Sequence, residues 1–120
     1  MVETTRRGRT LVRPRVVWGL ARGLRLYRVT GESMLPSYVD GELVWVDRRA
    51  YRGARPVAGD VVLARHPYRV DVLLLKRVAL VAADGSCELR GDNPQASTDS
   101  RSFGRVPLER ILGRVSGSLD

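Results

Sequence analysis

The chain has 120 residues, 43% of them hydrophobic, a formal net charge of +8 and one cysteine. That length is one domain, and a single cysteine excludes an internal disulfide. With one histidine beside it, a histidine–cysteine metal cluster is excluded too, and no apolar run approaches the ~18 residues that would span a bilayer.

The charge is unevenly placed. Residues 1–28 hold eight arginines against Glu3, a local charge of +7, whereas residues 29–120 hold thirteen basic and twelve acidic residues. The sequence therefore divides into a basic N-terminal arm, 1–28, and a nearly neutral body, 29–120. Residues 1–15 are polar and lack a period, which predicts disorder. Arg6-Arg7 invites an export reading, but the apolar stretch after it, Val16 to Ala21, is too short for a signal-peptide core. Residues 16–27 place Val17, Leu20, Ala21 and Leu24 at helical spacing weakened by Gly19 and Gly23, which predicts either a short interfacial or partner-docking helix or a short segment packed on its own domain.

From Tyr27 onward the signals are those of strands. Leu43–Val46 and Asp60–Arg65 are short, valine-rich and bounded by Gly, Pro or Asp. Val70–Val81 is a longer apolar run, and Glu88–Gly91 and Ile111–Val115 add short strands. Asp84-Gly85 reads as a hairpin turn. The fold expected is mostly β, with short strands and long functional loops.

Lys76 is the only lysine, set against twenty arginines. A lysine amine can be neutralised by burial and act as a base, which a guanidinium cannot. Alternation along the strand puts Val72, Leu74, Lys76, Val78 and Leu80 on one face and Arg77 on the other. A lysine among aliphatic neighbours either reaches water at an edge or is buried with a lowered pKa. Action near neutral pH needs about two to three pH units of lowering, roughly 3–4 kcal/mol of destabilised ammonium.

Ser33 is the partner candidate, in Gly31-Glu32-Ser33-Met34-Leu35-Pro36. Gly31 permits a tight backbone approach and Pro36 fixes the chain after the serine. Such a turn can present a hydroxyl beside backbone N–H groups, as acyl transfer requires. His66 precedes Pro67 at a strand end and reads as a surface or loop-locking histidine. Asp40 and Glu42 read as turn residues, Ser100 and Ser102 as loop serines, and Trp18 and Trp45 as packing anchors.

Four blocks in order, Gly31–Pro36, Pro56-x-x-Gly59-Asp60-Val61-Val62, Lys76-Arg77-Val78, and Gly91-Asp92-Asn93 with Ser97-x-Asp99-Ser100-Arg101, resemble the signal peptidase I family of serine–lysine peptidases. The resemblance covers roughly residues 29–115. Within the family, the stretch from Gly59 through Arg65-His66-Pro67 to Lys76-Arg77 is similar to nickel-type superoxide dismutase maturation proteases.

The resemblance implies a signal-peptidase-like coiled β-barrel, with Ser33 as nucleophile, Lys76 as general base and Ser97 orienting the amine. It implies backbone oxyanion donors at Ser33 and Gly31, since Gly31 stands where many members carry a serine hydroxyl. Met34, Pro36, Asp92 and Asn93 fall at structural positions near the site, and Asp99 and Arg101 resemble an ion pair. No metal or cofactor is implied. The partner implied is a protein precursor bound as an extended peptide, from which an N-terminal leader is removed.

The sequence departs from the family in having no spanning anchor before Ser33, no Gly-Asp after the Lys-Arg pair, and no room between Arg77 and Gly91 for a large accessory subdomain. The location expected is cytoplasmic, with the arm able to touch an anionic membrane surface. A signal peptidase held at a membrane by the arm is the alternative. A self-cleaving nucleic-acid-binding regulator is a more remote one, because residues 1–32 hold neither Ala-Gly nor Cys-Gly. No specific nucleic acid is expected as partner.

Overall fold

A computed structural model of the chain describes residues 2–4, 23–96 and 100–119. Seven strands form one antiparallel sheet: β1 (Val2–Thr4), β2 (Leu24–Val29), β3 (Leu43–Asp47), β4 (Val61–Arg65), β5 (Leu73–Val81), β6 (Cys87–Arg90) and β7 (Ile111–Ser118). The order is β1-β2-β3-β7-β4-β5-β6, and β1 also pairs with β5 through Val2 and Leu73. That last pairing closes six strands into a barrel, with β6 continuing outward from β5. One helical turn, α1 (Ser100–Phe103), follows β6.

The five strands expected from Leu43 onward are present, with ends moved by one to three residues. Two strands were not expected. The Leu24–Tyr27 part of the expected helix lies in β2, and Val2–Thr4 in the expected disordered arm forms β1. β2 pairs with β1 on one side and with all of Leu43–Asp47 on the other. Sheet partners on both edges override a helical spacing that two glycines had already weakened. The rest of the arm, including Trp18 and the twin arginines, lies outside the described residues.

Two clusters share the interior. The first takes Val2, Tyr27, Val29, Val44, Val46, Leu63 and Leu75 from five of the ring strands and fills the barrel. The second lies on the outer face of β4 and β5, under β6 and the segment leading to β7, and includes Val62, Leu74, Val78, Leu89, Phe103 and Val106. Val61 to Ala64 are consequently buried on both faces, which is why that stretch is apolar without alternation. Each large aliphatic side chain buried here contributes roughly 1.5–3 kcal/mol. Cys87 belongs to the second cluster, where burial raises its thiol pKa.

Register shifts at Trp45/Val46, Leu63/Ala64 and Val78/Leu80 add local twist and help the sheet coil. The third corrects the expected face of β5. Val72, Leu74 and Val78 pack against the second cluster, but Leu80 lies beyond the shift and is exposed. His66 locks the β4–β5 turn: its Nδ1 accepts the N–H of Tyr68 at 3.0 Å and of Arg69 at 3.1 Å. Burial, then the charge of Arg69, lowers its pKa, which favours the neutral ring those bonds need.

Candidate active site

Among the described residues, the polar or charged side chains classed as buried are Ser33, at 8% exposure, and Lys76, at 2%. Lys76 stands in β5 between Leu75 and Arg77, on the face that sends Leu74 and Val78 into the second cluster. Arg77 pairs with Arg90 across the β5–β6 ladder. One step further along that antiparallel register, residue 91 faces residue 76. Residue 91 is a buried glycine and brings no side chain of its own opposite Lys76.

Ser33 lies in the loop joining β2 to β3. The loop is pinched at its base, where Val29 donates to Glu42 O and Gly41 donates to Val29 O. Within it, Leu35 donates to Glu32 O and Tyr38 to Met34 O, turning the chain tightly around the serine. Glu42 Oε1 accepts the Val39 N–H, so Asp40 and Glu42 are turn residues as their spacing suggested. Met34 drives its side chain into the barrel core at 1% exposure and anchors the loop. Pro36 is exposed and follows a cis peptide bond.

The loop is stitched to the segment that follows β6. Asn93 donates its N–H to Ser33 O at 2.8 Å and its Nδ2 to Glu32 O at 3.1 Å. Asp92 donates its N–H to Met34 Sδ at 3.5 Å and accepts from Ser37 Oγ at 2.6 Å. Asp92 also meets Arg77 in a bidentate pair, Nε to Oδ1 at 2.9 Å and Nη2 to Oδ2 at 2.8 Å. The third arm of Arg77, Nη1, donates to Gly59 O at 2.8 Å. Parts of all four sequence blocks, the fourth through Asp92 and Asn93, are therefore tied together.

The charges there are matched. Hydrogen bonding to Arg77, with a smaller contribution from Ser37, holds the Asp92 carboxyl below the usual carboxylate range. The same pair raises the pKa of Arg77. Burial raises that of Tyr38, whose phenol lies near the pair. Asp60 Oδ2 accepts from Tyr51 Oη at 2.7 Å and from the Val57 N–H at 3.1 Å, which fixes the block before β4. Burial and that bond to Asp60 push the Tyr51 phenol far up.

One expected site residue is corrected. The Gly31 N–H does not stand open as an oxyanion donor, because it donates to Asp40 Oδ1 at 2.7 Å. Gly31 has φ +86°, a conformation that turns its amide toward that carboxylate. Ser97 and Asp99 lie outside the described residues, and Arg101 lies exposed on α1. Among the described residues, Arg77 and Asp92 form an ion pair beside the serine loop. Sequence reasoning gave Arg77 only the role of pointing away from Lys76, and gave Ser37 none. Their adjacency to motif residues was the only signal available.

No group of three or more His, Cys, Asp or Glu among the described residues is placed to hold a metal ion. No helix among them is long and apolar enough to cross a membrane.

The chain is similar in sequence to known proteins. The family model for signal peptidase, peptidase S26, matches residues 16–85, a span that includes Ser33 and Lys76. Mitochondrial ATP-independent inner membrane protease subunit 1a of Arabidopsis thaliana is 32% identical over 109 residues, covering 72% of this chain and 65% of that protein. Mitochondrial inner membrane protease subunit 1 of Xenopus tropicalis is 30% identical over 105 residues, and the Homo sapiens protein 29%; each match covers 72% of this chain and 63% of the relative. The chain spans just under two thirds of the length of these relatives. Four motif blocks joined in one barrel, and a family match over more than half the residues, lead to one conclusion: this chain belongs to the signal peptidase family, peptidase S26.

Proposed function

We propose that this chain is a serine endopeptidase in which Ser33 is the nucleophile and Lys76 the general base. The observation that carries this reading is that Ser33 and Lys76 are the buried polar or charged residues among the described ones. Desolvation disfavours an ammonium, and a neutral amine is what proton abstraction needs. Lys76 Nζ takes the proton of Ser33 Oγ as that oxygen bonds to the substrate carbonyl carbon. The backbone N–H of Ser33 donates to the oxyanion formed. Collapse breaks the C–N bond, and the ammonium returns its proton to the leaving amine. Water then attacks the ester, giving its proton to Lys76, and the released Ser33 oxygen regains one. Ser97, within this reading, orients the amine.

The substrate proposed is an extended N-terminal leader on a protein precursor, bound along a strand edge. The resemblance of the Gly59–Arg77 stretch to nickel superoxide dismutase maturation proteases supports that precursor as the target. Its nickel would belong to the substrate. The test is to mix the purified chain with this precursor and read the new N-terminus by mass spectrometry. Cleavage is expected for wild type and lost in Ser33→Ala and Lys76→Arg. Retained activity in Lys76→Arg overturns the base assignment, because a guanidinium keeps its proton.

A second reading has the enzyme in the cytoplasm but working at an anionic membrane, held by its basic arm, on secretory signal peptides. The inner-membrane proteases among its relatives favour it. Each arginine near an anionic surface contributes about 1 kcal/mol. Flotation with anionic vesicles at low salt, and release at high salt, is the expected result. Absence of flotation rejects this reading.

A further inference from the structure

We infer that the chain occludes its own site: β1 lies in the slot between the strand that leads to Ser33 and the strand that carries Lys76, and an extended peptide must displace it to reach them. The consequence for catalysis rests on the peptidase reading above, whereas the placement of β1 does not.

β1 runs antiparallel to β2 and to β5, so β2 and β5 run parallel to each other on its two sides. Val2 faces Val29 of β2 and Leu73 of β5, which puts those two residues level. From that level both strands run toward the site. Ser33 lies four residues beyond Val29, and Lys76 lies three beyond Leu73. Neighbouring strands are about 4.8 Å apart, so β2 and β5 stand about 10 Å apart across β1, room for one strand and no more.

The remaining edges of these two strands are paired elsewhere. β3 covers the other edge of β2. β4 pairs with both Leu73 and Arg77, so β1 and β6 share the opposite edge of β5. β6 takes that edge from Arg77 to Val81, and β1 takes it at Leu73. A precursor that adds as a strand beside the residues leading to Ser33 and Lys76 therefore meets β1.

β1 is held in a way that permits release. It is three residues long and is seated by Val2, which is 5% exposed and shares the first cluster with Val29, Met34 and Leu75. A longer extended segment can pair along more of both edges than three residues do, and an apolar side chain at the matching position refills the place of Val2. While β1 stays seated, the affinity for such a segment is reduced by the fraction of molecules whose slot is open.

The slot can be locked through Val2 and Val29. Val29 donates its N–H to Glu42 O and accepts the Gly41 N–H, so its backbone groups face the β3 side. Val2 and Val29 are thus a non-hydrogen-bonded pair, with Cα atoms about 4.5 Å apart, a separation that a disulfide spans.

The experiment uses the full chain carrying Val2→Cys and Val29→Cys, oxidised and then reduced, beside wild type, Val2→Asp and Ser33→Ala, at a temperature where all are folded. The probe is a synthetic peptide spanning the leader junction of the nickel superoxide dismutase precursor, and mass spectrometry verifies the new disulfide. Oxidation is expected to lower kcat/KM at least about tenfold and reductant to restore it, with wild type indifferent to both. Val2→Asp places a carboxylate in the apolar cluster and unseats β1, so its KM is expected to fall at least about threefold. A merely structural β1 would not improve KM when loosened. Equal activity of the oxidised and reduced forms overturns the inference, as does an unchanged or higher KM in Val2→Asp. Failure of the two cysteines to join also overturns it, because β1 would then not lie against β2. If wild type is no more active than Ser33→Ala, the peptidase reading fails. Binding of the same peptide, fluorescein-labelled and read by anisotropy, then decides the occlusion alone: tighter binding to the reduced than to the oxidised form upholds it, and equal binding, or none, rejects it.

Discussion

Asp40 accepts the backbone N–H of Gly31 at 2.7 Å, and Gly31 carries that N–H at φ +86°. The bond ties the start of the serine loop to its end. Among the described residues, Gly31 and its two chain neighbours aside, no heavy atom lies within 4 Å of a Cβ added at Gly31. The cost of Gly31→Ala is therefore backbone strain alone, about 1–2 kcal/mol. Asp40→Ala loses one charge-assisted bond at an exposed site and is expected to cost about 1 kcal/mol. Urea unfolding with an unchanged m value measures both. A Gly31→Ala midpoint equal to wild type would contradict the left-handed turn.

Thr30 offers a stabilising change. Its Oγ1 is buried with no hydrogen-bond partner among the described residues. An unsatisfied buried hydroxyl costs about 1–3 kcal/mol, and valine has nearly the same shape without it. Thr30→Val is expected to raise the melting temperature. A lowered value would reveal a partner for the hydroxyl.

Gly113 is constrained by space. A Cβ there would meet Asp47 O at 2.6 Å and Val46 Cγ1 at 2.8 Å, and the first of these is backbone in β3. Because β7 lies between β3 and β4, the ladder has little freedom to retreat. Gly113→Ala is expected to destabilise by about 1–3 kcal/mol. Thermal unfolding checks this, and a neutral result would mean that β3 and β7 can separate at no cost.

Acid should weaken the loop through Asp92. Its folded-state pKa lies below the ordinary carboxylate value of about 3.9, chiefly because of Arg77. The folded state thus binds fewer protons than the unfolded chain. The stabilisation is complete above the unfolded value and disappears as pH falls through the folded one. Urea midpoints are expected to fall below about pH 5, with a shallower slope for Asp92→Asn. Asp84, held low by Ser86, titrates in the same range and leaves part of the slope in place. An identical acid limb in the variant would remove Asp92 as its source.

The sequence by itself determined the strands that carry their own signal. Leu43–Asp47, Val61–Arg65 and Leu73–Val81 are valine- or leucine-rich and bounded by turn residues, so local preference and final environment agree. It also marked Ser33 and Lys76, one by its turn and one by its singularity among arginines. Tertiary structure alone decided that Val2–Thr4 is a strand. Three residues have no readable period, and they became β1 because they pair with β2 and reach Leu73. It likewise decided that the Gly31 amide is taken by Asp40, and that Arg77 and Asp92 meet across fifteen residues of chain. Hydrogen bonds between distant segments leave no periodic mark in a sequence. They form only when closure of the barrel brings the loops together.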